Sequence, residues 1–160
     1  MSKDFNTNTT NNGEWLTPKY ITDYFDFDLD PCSPIIRPWD TAKNHFNIND
    51  NGLLQKWFGF VFCNPPYGRE TWTWLNKCAE HNNAIALTFA RTETRGFFAE
   101  VWEKANGIFF FKSRLKFHYV DGTRGDSANA PSVLISYGDF AKSELKRFSL
   151  DYEGKFLELN

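Results

Sequence analysis

The strongest constraint in this 160-residue chain is the stretch Val61-Phe62-Cys63-Asn64-Pro65-Pro66-Tyr67-Gly68, an apolar run that stops abruptly at a proline-stiffened polar loop. Trp57 to Cys63 is apolar or β-favouring almost throughout, which predicts a strand buried on both faces in the middle of a sheet. The loop then leaves the strand at its carboxyl end, the edge at which open α/β sheets bind ligands. Pro65 and Pro66 each fix φ near about −65° and lack a backbone N–H, so the loop is rigid and rich in acceptors. Asn64 adds one acceptor and two donors, and Tyr67 adds a flat ring able to stack on a planar ligand.

The flanking sequence reads as alternating strands and helices. Thr17-Pro18 is a helix start, with Thr17 as hydroxyl cap and Pro18 at the first helical position. Phe27-Asp28-Leu29-Asp30-Pro31 reads as a first strand with Asp30 at its carboxyl tip, and residues 43–50 hold room for a short second one. Asp50-Asn51-Gly52-Leu53 is a turn on composition. Helical spacing recurs over 69–82 and 94–105, and strands are predicted over 84–90, 107–111, 116–120 and 131–137. Residues 121–130 read as a polar loop, and 141–160 as a basic patch leading into a small hairpin or tail. This alternation predicts an α/β fold with a mostly parallel central sheet and a terminal antiparallel hairpin. The Asn/Thr-rich residues 1–13 read as a flexible tail, 14–140 as the main domain and 141–160 as its extension.

Hydrophobic content of 41% and aromatic content of 18% exclude overall disorder. No apolar run reaches the length of a membrane span, and the polar N-terminus is unlike a signal peptide, so a cytoplasmic protein with no membrane partner is expected. Cys32, Cys63 and Cys78 lack CxxC spacing, which argues against a disulfide framework or a zinc site. The net charge of −2 does not announce a nucleic-acid binder. Its distribution is uneven, however: residues 1–50 hold four basic against eight acidic side chains, and residues 84–125 hold seven basic against four acidic. A mildly basic later half is what a phosphate-facing surface requires.

Asn-Pro-Pro-Tyr after a hydrophobic strand resembles the catalytic signature of S-adenosylmethionine-dependent amino-group methyltransferases. The wider pattern, from Glu14-Trp15-Leu16-Thr17-Pro18 through Phe27 to Pro31 and Asn51-Gly52-Leu53, resembles the small phage-type Dam-like DNA N6-adenine methyltransferases. The resemblance spans roughly residues 14–138. It implies a compact Rossmann-like methyltransferase fold, S-adenosyl-L-methionine as cofactor, double-stranded DNA as partner, and a monomer or homodimer working in a bacterial host. It also implies site residues. Asn64, Pro65, Pro66 and Tyr67 would be catalytic. Thr17, Pro18, Asp30, Pro31 and Asp50 would bind the cofactor, and Arg69, Arg91, Arg114, Lys116 and Arg124 the DNA. Many methyltransferases follow the acidic strand tip with a glycine-rich turn, whereas residues 32–39 contain no glycine. With Pro34 and Pro38 present, residues 32–45 are therefore predicted as an irregular cover over the cofactor.

The chemistry follows from the substrate. The N6 amine of adenine is a poor nucleophile because its lone pair is delocalised into the ring. The Asn64 side-chain oxygen and the Pro65 carbonyl can each bind one amine hydrogen and favour a pyramidal, attacking nitrogen without a strong base. Tyr67 would stack on a base rotated out of the duplex. The loop alone does not separate DNA adenine from RNA adenine or a glutamine side chain, nor an enzyme from a silent module of the same fold.

Overall fold

The structure, a computed structural model, describes residues 15–160; the expected tail at 1–13 lies outside the described residues. A seven-stranded mixed sheet forms the middle layer. It is built from β2 (Leu29–Asp30), β3 (Asn44–His45), β4 (Val61–Cys63), β5 (Ala84–Phe89), β6 (Gly107–Phe111), β9 (Ser132–Tyr137) and β10 (Gly154–Glu158). Their order is β10-β6-β9-β5-β4-β2-β3. The β3, β2, β4 and β5 pairings are parallel, whereas β5 to β9, β9 to β6 and β6 to β10 are antiparallel. A separate three-stranded sheet joins β1 (Trp15–Leu16), β7 (Lys116–Tyr119) and β8 (Arg124–Ser127).

Alternation along the strands explains the layers. Phe62, Ile85 and Leu87 point to one face, where Ile21 of α1 (Lys19–Tyr24) and Leu145 and Phe148 of α4 (Asp139–Asp151) complete a phenylalanine-rich core. Val61, Cys63, Ala84 and Ala86 point to the other, against Leu75 and Cys78 of α2 (Glu70–His81) and Phe97 of α3 (Arg95–Phe97). Small strand residues on this second face let α2 lie close, and each fully buried Leu or Phe contributes about 2 kcal/mol. No described helix is long and apolar enough to cross a membrane.

Several expectations need correction. The sheet is half antiparallel in its pairings, because β9 inserts between β5 and β6 and the chain then adds β10 outside β6. The central strand covers only Val61–Cys63, since Trp57 to Phe60 form a loop. The 121–130 segment is no plain loop: Arg124–Ser127 pairs with β7 as a hairpin. Residues 139–151 are a full helix, and two of the three cations of the expected basic patch are matched, Lys142 to Glu158 at 3.0 Å and Arg147 to Glu144 at 2.6 Å. The second predicted helix begins as α3, with Thr94 capping Phe97 N–H, then widens into a π-helical segment over Phe98–Trp102. Of the stretch predicted as irregular over 32–45, residues 32–43 contain neither helix nor strand and 44–45 form β3.

Candidate active site

The carboxyl ends of β2, β4 and β5 share one edge of the sheet, so Asp30, Asn64 and Phe89 emerge side by side. There the structure opens a cleft of about 430 Å³. Its walls are the loop after β2 (Pro31 to Pro34), the 51–53 turn, Asn47 and Ile48, the whole Asn64-Pro65-Pro66-Tyr67 loop, and Glu70 and Trp74 of α2. Two anchors hold the turn. The Trp57 indole donates to the Gly52 carbonyl at 2.9 Å, and the Lys77 ammonium donates to the Leu53 carbonyl at 2.7 Å. Gly52 sits so close to the β2 loop that a Cβ there would lie 2.1 Å from the Pro31 carbonyl oxygen.

The proline loop is fixed at both ends. Thr71, in the first turn of α2, donates its hydroxyl to the Pro66 carbonyl at 2.7 Å. Asn64 Nδ2 donates to Thr17 Oγ1 at 3.2 Å. Among the described residues nothing donates to Asn64 Oδ1 or to the Pro65 carbonyl, so both acceptors remain for a ligand. The Tyr67 ring stacks on Phe89, centroids 4.1 Å apart and planes within 8°. The Arg91 guanidinium lies 5.5 Å from the Phe89 ring centre. One face of Tyr67 is thus backed by an aromatic ring at the wall of the cleft.

Asp30 and Asp50 do not line the cleft. Asp30 is only 3% exposed. It accepts from the Thr41 hydroxyl and, at 3.1 Å, from the Cys32 backbone N–H. Burial pushes its carboxyl up to about 6, against the opposing pull of those two bonds and of Arg37. Its two oxygens tie Cys32 and Thr41 of the following loop, part of which walls the cleft. Asp50 is exposed and accepts from Asn47 N–H at 2.8 Å, closing its turn. Thr17 does not cap α1, whose N-cap is Pro18 with no side-chain cap bond. Pro31 does line the cleft. Glu70, Trp74 and Asn47 line the cleft without having been picked out in the sequence, whereas Asn51 stood in the turn and in the family pattern.

The predicted DNA contacts divide. Arg114, Lys116 and Arg124 meet in a second, open groove, together with Pro18, Lys19, Lys112 and His118. Lys19 and Lys112 are ion-paired there with Asp23 and Glu153, whereas Lys116 and Arg124 carry no ion pair among the described residues. Burial, and to a lesser degree the neighbouring Arg124, push the His118 imidazole below its usual value. Arg69 and Arg91 are exposed beside the proline loop and outside this groove.

No curated protein and no solved structure matches the chain. A family model does: the DNA N-6-adenine-methyltransferase (Dam) model matches residues 4–155, nearly the whole length and all of the cleft, loop and groove. The chain therefore belongs to the DNA N-6-adenine-methyltransferase (Dam) family, enzymes that methylate adenine N6 in DNA.

Proposed function

We propose that the chain uses S-adenosyl-L-methionine as methyl donor, seated in the 430 Å³ cleft, and that the Asn64 to Tyr67 loop presents the adenine amine to it. The observation that carries this reading is that all four loop residues wall the same cleft as the 31–34 and 51–53 loops. Strand order, with antiparallel β9 between β5 and β6, supports a Rossmann-like methyltransferase fold. Residues 14–140 and the 141–160 extension act as one unit, a reading supported by the shared core of α4 and the sheet.

The cleft residues fit such a donor. The volume lies in the range of small-molecule sites, and the Trp74 indole N–H, in the cleft wall, is buried with no partner among the described residues. An unmatched buried donor of this kind costs about 1–3 kcal/mol until a ligand or water accepts from it. Glu70 offers a carboxylate at the rim, Asn47 and Asn51 lie by the turn, and the loop after Asp30 offers backbone groups. When bound, the donor supplies an electrophilic methyl on a sulfonium centre. Asn64 Oδ1 and the Pro65 carbonyl then accept the two amine hydrogens, and stabilise the positive charge that grows on the nitrogen. Tyr67, backed by Phe89, is the aromatic ring of the loop against which the flipped base packs. Arg114, Lys116 and Arg124 contact phosphates of the duplex in the groove, with Arg69 and Arg91 nearer the catalytic loop.

Labelled methyl transfer from S-adenosylmethionine to unmethylated duplex DNA, followed by nucleoside identification, tests this reading. Labelled N6-methyladenine is expected, and its loss in Asn64→Ala with donor binding retained. Donor binding abolished by that substitution would move Asn64 from the reaction to the cofactor site.

A further inference from the structure

Thr17 is 2% exposed, and its hydroxyl meets the side chain of Asn64, 47 positions later in the chain. The contact is built by β1, whose Trp15 pairs with Tyr119 and Leu16 with His118 of β7. The residue after Leu16 is thereby delivered, buried, behind Asn64, which stands partly exposed in the cleft wall. A primary amide can be held either way round, and only one way is useful here. With Nδ2 bound, the oxygen faces the ligand side; with the oxygen bound, the amide would offer N–H groups to an amine that also carries N–H groups.

We infer that Thr17 is a positioning residue for catalysis: its hydroxyl binds Asn64 Nδ2 and so fixes the side-chain oxygen as acceptor for the target amine. The inference rests on the catalytic reading of Asn64. Because β1 also belongs to the sheet that carries Lys116 and Arg124, the amide is braced by the same sheet that forms one side of the basic groove. Pro18, the next residue, lines that groove directly.

The test uses the full chain, unmethylated duplex DNA and labelled S-adenosylmethionine, comparing Thr17→Val, which keeps shape and removes the hydroxyl, with Thr17→Ser, which keeps the hydroxyl. Loss of orientation predicts a fall in kcat of about 10- to 100-fold for T17V. KM for DNA and the donor affinity should change less than about threefold, and T17S should keep kcat within about threefold of the parent. A T17V enzyme with normal kcat overturns the inference, and so does one whose defect lies in donor affinity with kcat preserved, which would make Thr17 a cofactor contact. Failure of T17S to rescue, with a thermal melt like the parent's, assigns the effect to the methyl group and overturns it equally. If T17V does not fold, Thr17→Ala against Thr17→Ser carries the same contrast. Asn64→Ala is run alongside: if it still turns over, the catalytic reading of Asn64 fails, whereas an inactive N64A beside a fully active T17V sinks the Thr17 assignment alone.

Discussion

The loops after β2 and β4 leave neighbouring parallel strands at the same edge of the sheet, and each begins with a polar residue, Asp30 in one and Asn64 in the other. They are used in opposite ways. Asp30 is buried, with the Thr41 hydroxyl on one oxygen and the Cys32 N–H on the other. Asn64 is half-buried, tied at its nitrogen and open at its oxygen. A carboxylate taken out of water must be surrounded by donors, so the stronger group is consumed in holding its own loop. A neutral amide can be left half-satisfied at modest cost, and Asn64 Oδ1 is left without a donor among the described residues.

The sharpest way to break this comparison is at Asn64. Asn64→Ala should lower kcat by about 10²- to 10³-fold, the usual effect of removing one preorganised group from a developing charge, with donor affinity nearly unchanged. Steady-state kinetics beside calorimetric titration would check both halves.

Asp30→Asn should do the reverse, altering stability and leaving kcat near the parent value. Since the native carboxyl is raised to about 6 from a usual value of 3.8, the folded chain holds a proton that the unfolded chain has released between those pH values. Stability therefore falls as pH rises through that window and levels off above it, by roughly 3 kcal/mol relative to the variant. Urea melts of parent and D30N from pH 4 to 7 measure the difference. Parallel curves, together with a large loss of donor affinity, would instead make Asp30 a direct ligand.

Gly52→Ala probes the wall that the two loops share. A Cβ there meets the Pro31 carbonyl at 2.1 Å, so the turn or the β2 loop must shift. Donor affinity should drop by about tenfold, since Pro31 and Gly52 both face the cleft. An isothermal titration indistinguishable from the parent's would show that the wall is not the donor site.

The smallest effects belong to the groove. Lys116→Ala and Arg124→Ala should each weaken DNA binding a few-fold at moderate salt, and each should reduce the slope of log affinity against log salt by about one. Anisotropy titrations at several salt concentrations would show it, with kcat at saturating DNA unchanged.

Much of the site was legible because its signals are local. An apolar run meeting Asn-Pro-Pro-Tyr marks a strand, an edge and a set of acceptors within eight residues. The strand pattern at 84–89 likewise follows from composition. What was hidden depends on partners far along the chain. Thr17 carries the signature of a helix cap, yet its hydroxyl is claimed by Asn64. Asp30 stands at a strand tip as expected, but its bond from Thr41, eleven positions on, could not be read from local sequence. Arg124–Ser127 is too polar to read as a strand, and becomes one because β7 lies beside it and Gly125 leaves room for the Trp15 ring. In α4, Ala141, Leu145 and Phe148 keep helical spacing, but the interleaved charges mask it until Lys142 finds Glu158 on β10.

Strand β10 lies along the outer side of β6, and the opposite end of the main sheet is the two-residue β3. Long bare edges invite strands from other molecules, whereas this sheet ends in a stub on one side and a five-residue strip bearing Lys155 and Glu158 on the other. Among the described residues, each end of the sheet is thus a poor template for strand addition by a second copy.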